Sequence, residues 1–145
     1  MRPFLIYAGF IPFFLSTIFY ILDLGHTASK DQWLFIIQMY GGVILSFLAG
    51  IQWGLSFQNN GAASYKKYIL PIWSNIIAIA AFISLIHQRE TATLSILIFG
   101  FMLQLLADMH FARKGLYEKN YIKHRIIITV LVVTSLLLTL RHASL

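Results

Sequence analysis

The chain has no cysteine, three prolines, and only 16 charged residues in 145 (11 Lys+Arg and 5 Asp+Glu). Without cysteine there is no disulfide framework, no CxxC metal or redox motif and no thiol nucleophile. A charged fraction of 11% is less than half of the roughly 25% usual for a soluble domain. That scarcity excludes a water-soluble globular domain, a disordered tail and a free nucleic-acid binder. Also missing are GxSxG, HExxH, Walker and GxGxxG patterns, so no hydrolase, zincin or nucleotide fold is indicated. The five histidines do not fall at metal-ligand spacing, and neither a metal nor another cofactor is expected.

What is abundant is apolar and aromatic: 59% of residues are hydrophobic, 15% are Phe, Trp or Tyr, and the mean hydropathy is +0.76. Five apolar runs predict an all-α, integral membrane five-helix bundle occupying residues 1–145 as a single transmembrane domain. The expected helices lie at about 4–24, 33–57, 68–86, 92–111 and 122–140. At 1.5 Å per residue, most of these runs match a hydrocarbon core of about 30 Å. The fifth reaches that length only if Tyr121 to Arg125 begin the helix; the alternative is four spans and one interfacial helix. The first run is expected to remain as a membrane helix instead of being cleaved as a signal peptide, because it lacks a small-x-small exit. Pro12 is expected to kink it, and Pro71 to sit near the start of the third helix.

The +6 net charge lies between the runs, so the positive residues read as topogenic, with anionic lipid headgroups as partners and no nucleic acid. One side collects Arg2, Lys66, Lys67, Arg113, Lys114, Lys119, Lys123 and Arg125, and the other Lys30, Arg89 and Arg141. This asymmetry predicts a cytoplasmic N-terminus and a C-terminus on the opposite side. Trp33, Trp53 and Trp73 read as interfacial anchors.

In the second run, Gly42, Ser46, Gly50 and Gly54 recur every four residues and mark a helix-packing stripe that lets another backbone approach closely. Packing within the bundle is the first reading of that stripe, and a seam with a second copy or a membrane-protein partner is the second. A polar set, Asp108, Gln104, Gln52, Asn75, Arg125 and Tyr121, is expected near the cytoplasmic face, with Tyr7 close by. Asp108 is the one charge inside an apolar run and the best single candidate for function. Its plain reading is a clamp to Arg125 or Lys123 that fixes the fourth helix on the fifth. A ligand pocket and ion handling are the alternatives.

The string Tyr40 to Gly54 (YGGVILSFLAGIQWG) resembles the signature of the DUF3429 family, which includes the mitochondrial transmembrane protein 69 of animals. Gly9-Phe-Ile-Pro-Phe13, Leu70-Pro71, Asp108, and Tyr121 with Arg125 and Thr129 extend the resemblance over essentially the whole chain. It implies a small multi-spanning protein of bacterial inner membranes or mitochondria and carries no established activity. The bacterial inner membrane is favoured here, because no Arg-rich amphipathic segment precedes the first run. Two positions depart from the pattern. Ala49 stands where Gly is usual, and Gln52 where His or Arg is common; an amide does not titrate, so Gln52 is not expected to carry protons. The function expected is non-enzymatic: packing, assembly or lipid organisation. A transporter or small-ligand binder built on the polar cluster is the alternative.

Overall fold

A computed structural model describes residues 7–23, 30–58, 66–113, 115, 117 and 119–144. Five helices follow in order: α1 (Ile11–Leu22), α2 (Lys30–Gln58), α3 (Lys66–Ile86), α4 (Glu90–Arg113) and α5 (Lys119–Ala143). No strand occurs among the described residues. Three stretches, Lys30–Leu55, Glu90–Arg113 and Asn120–Ala143, are long and apolar enough to cross a membrane. Ile11–Leu22 and Ile72–Ile86 are shorter apolar helical stretches. The protein is a membrane helical bundle.

All four long helices extend two or more residues past the expected bounds at one end or both. At the start of α2 and of α4, and at the ends of α4 and α5, the reason is electrostatic. Asp31 and Glu90 occupy the first turns of α2 and α4, while Arg113, Arg141 and His142 occupy the last turns of α4 and α5. Those charges complement the helix dipole, so polar residues that interrupt an apolar pattern continue the helix. Tyr121 to Arg125 lie inside α5, giving it 25 residues.

The first helix differs from expectation. Its residues 4–6 lie outside the described ones; residues 7–8 are helical, 9–10 form a turn, and α1 runs on from Ile11 with Pro12 in its first turn, so the helical path is interrupted just before the proline. A proline tolerates that position because the missing N–H would have no intrahelical acceptor. Asp23 closes α1 in the left-handed region (φ 50°). Pro71 lies in the second turn of α3, which already begins at Lys66.

The packing order places the site. α1 packs on α2 and α5, α2 on α3 and α4, and α4 on α3 and α5; α2 and α5 are not among the closely packed pairs. Phe13, Leu34, Ile37, Leu45, Leu94, Leu97, Phe101 and Leu136 form the apolar interior. Close approach is concentrated at Gly100 of α4, where an added Cβ would lie 2.5 Å from Leu45 of α2 and 2.9 Å from Ile77 of α3. Gly42 is similarly closed, with Phe82 of α3 at 2.7 Å from the same notional atom.

The small-residue stripe of α2 does not act as one surface. Gly42 meets α3, and Ser46 donates from Oγ to Asn75 Oδ1 of α3 at 2.8 Å. Gly50 and Gly54 are exposed, and a Cβ on either would meet nothing within 4 Å. Packing within the bundle does not extend to these two, because a four-residue step turns about 40° past a full circle and the stripe rotates off the α3 face.

Candidate functional site

Asp108 sits on α4 in line with Gly100 and Gln104, one residue per turn, on the face that Gly100 brings against α2 and α3. All three are buried, Asp108 to 2% exposure. A carboxylate so placed requires donors, because an unpaired buried charge is costly. Three arrive from three segments. Arg125 Nε of α5 donates to Asp108 Oδ2 at 2.6 Å, Gln52 Nε2 of α2 donates to Oδ1 at 2.7 Å, and the Tyr117 hydroxyl donates to Oδ1 at 3.2 Å.

Several expected members therefore meet, although in two groups. Asp108, Gln52 and Arg125 form one centre. Gln104 accepts on Oε1 from Ser74 Oγ of α3 at 2.7 Å, one turn away along α4. Asn75 belongs instead to the Ser46 link between α2 and α3, because it lies one residue past Ser74 and so about 100° around α3. Tyr121 stacks on Tyr117, with ring centroids 4.7 Å apart and planes at 22°. Tyr7 reaches α5, its hydroxyl 2.9 Å from His124 Nδ1.

Arg125 is itself a correction. Read as a helix-end cation, it is 6% exposed and is a second interior charge beside Asp108. Two contributors were missed by sequence reasoning. Tyr117 lies in the α4–α5 connection, outside every apolar run, and its one signal was the four-residue spacing to Tyr121. Ser74 was hidden beside the more conspicuous Asn75. Burial, and then the adjacent Asp108 carboxylate, push the Tyr117 phenol up from its ordinary value of 10.0. It therefore stays a hydrogen-bond donor at neutral pH.

A cavity of about 300 Å³ adjoins this centre, lined by residues of α1, α2, α4 and α5 and by Gly9 just before α1. Its walls include Phe13, Ile44, Leu48, Phe101 and Val132, with Tyr121, Arg125 and Thr129 as the polar members. Arg125 Nη2 and Thr129 Oγ1 are buried without a hydrogen-bond partner. The Thr129 geometry is unusual within this protein. Thr93, Ser95 and Thr139 each donate to the carbonyl four residues earlier, which is the usual outlet for a helical hydroxyl. A second cavity, at the other end of the bundle, is lined by Asp31, Gln38, Gln88 and Glu90 among others. Among the described residues no group of three or more His, Cys, Asp or Glu could hold a metal ion.

Comparison with known proteins matches residues 2–141 to the family described as "Protein of unknown function (DUF3429)". The chain belongs to the DUF3429 family. No curated protein and no solved structure matches it. In this family member the second-run string places Gly42 and Ser46 against α3 and Gln52 against Asp108, so these three residues serve contacts between helices.

Proposed function

We propose that this DUF3429 protein is a non-catalytic, multi-pass membrane protein whose polar centre is a clamp between helices, with an assembly or lipid-organising role. The observation that carries the reading is that three donors hold Asp108. Its carboxylate accepts from Arg125, Gln52 and Tyr117, and so joins α4 to α5, to α2 and to the α4–α5 connection. A general base or proton carrier needs a lone pair directed at its substrate or at water. Here both oxygens are held by protein donors in a buried position. The cation asymmetry supports an N-terminus on the cytoplasmic side, and anionic lipid headgroups are the natural partners of those cations.

A complementation and flux experiment tests this reading. The double variant Asp108→Asn/Arg125→Gln keeps a hydrogen-bonding pair without charge. It is expected to complement a strain lacking the protein and to leave proton flux into liposomes unchanged. A folded double variant that fails to complement would overturn the clamp reading.

One observation favours a second reading, small-ligand binding. The cavity beside the clamp carries two polar side chains, Arg125 and Thr129, each with an unpartnered buried atom.

A further inference from the structure

The cavity has a particular chemistry. Along α5 it runs from Tyr121 to Val132, roughly 16 Å at 1.5 Å per residue. Its volume of about 300 Å³ lies at the small end of ligand sites. That suits one hydrocarbon chain and excludes a whole two-chain lipid. Most of its lining comes from α2 and α5, which do not pack closely, and one lining residue of α2, Phe47, is 63% exposed on the outer surface of the bundle. A chain entering past Phe47 would come laterally from the bilayer.

The polar members decide what the head of the occupant must be. Both unpartnered atoms, Arg125 Nη2 and Thr129 Oγ1, can donate, and a buried donor left unmade is costly. The occupant should bring an acceptor. Charge selects further. The Arg125 cation is already matched by Asp108 at 2.6 Å, so the pair is neutral as a unit. A carboxylate or phosphate entering beside it would add an unmatched buried charge, which a low-dielectric site disfavours. A neutral carbonyl oxygen satisfies the donors without that cost.

We propose that the cavity between α2 and α5 holds one hydrocarbon chain bearing a neutral carbonyl, whose oxygen accepts from the Thr129 hydroxyl and the Arg125 guanidinium. This inference rests on the ligand-binding reading above. The carbonyl has two possible sources, the ester of a bilayer glycerolipid or a free ketone-bearing apolar molecule.

The test uses the full chain purified in mild detergent and native mass spectrometry. The probes are a diester phosphatidylcholine and its diether analogue of equal chain length. The ester is expected to be retained about five- to tenfold more than the ether, the ratio that two hydrogen bonds at the low end of their net contribution produce. Thr129→Val should reduce that ratio to about two- to threefold, the part the Arg125 guanidinium retains, while leaving the unfolding temperature unchanged. Val132→Trp, which fills the cavity, should lose both probes, and Ile128→Phe serves if that variant does not fold. Equal retention of ester and ether overturns the carbonyl contact, and so does an unchanged ratio in Thr129→Val. Preference for a free fatty acid over the ester overturns the neutral head. Undiminished binding in the filled variants overturns the cavity as a site, and with it the ligand-binding reading. Displacement of the ester by a long-chain methyl ketone supports a free molecule as the source, and retention against it supports the glycerolipid.

Discussion

Arg125 and Asp108, seventeen residues apart and on different helices, meet through a single 2.6 Å hydrogen bond from Nε to Oδ2. The pair is nearly inaccessible, with side-chain exposures of 8% and 3%. It holds the start of α5 against the end of α4 and sets the polar end of the cavity.

Removing one partner should cost more than removing both. Asp108→Ala strands the Arg125 cation in the interior and is expected to destabilise by about 3–5 kcal/mol. Asp108→Leu combined with Arg125→Met removes both charges and should recover most of that loss. Thermal unfolding of the two single variants and the double variant in detergent measures the coupling. Additive losses would show that the pair is not a clamp.

Glycines of the bundle should divide by what surrounds them. Gly100→Ala drives a methyl into Leu45 and Ile77 and is expected to cost about 1–3 kcal/mol. Gly50→Ala meets open space in a helix interior and should stabilise by about 0.5–1 kcal/mol. Unfolding temperatures of the two variants should therefore move in opposite directions.

Tyr117 supplies a pH dependence. Its folded-state ionisation lies above the unfolded value of 10.0, raised by burial first and the Asp108 carboxylate second. The unfolded chain therefore loses the phenolic proton first. The stability contributed is fully present below about pH 10 and declines as pH rises beyond it. A stability profile from pH 7 to 11 should show this alkaline decline reduced in Tyr117→Phe. Superimposable slopes would contradict the hydrogen bond from Tyr117 to Asp108.

The orientation is directly testable because the chain has no cysteine of its own. Single cysteines at Asn60 and Glu90, treated with an impermeant maleimide on intact cells, should label at position 90 and not at position 60. Labelling at 60 would reverse the assigned topology.

Family membership, membrane class, helix number and approximate helix positions were legible from the sequence because each depends on local properties. Apolar runs of sufficient length dictate helices, since backbone groups have no other partners in hydrocarbon. Asp108 announced itself as a charge within such a run, and its pairing with Arg125 was one of two choices. The rest depended on how helices rotate and meet. A 100° turn per residue separates Ser74 from Asn75, and it carries Gly50 and Gly54 away from the contact that Gly42 makes. Arg125 looked like a surface cation until α5 began early enough to bury it, and Tyr117 joined Asp108 from a connection with no periodicity to read. The cavity belongs to no single segment. It exists because α1 and α4 hold α2 and α5 apart, and that is a property of the packed bundle alone.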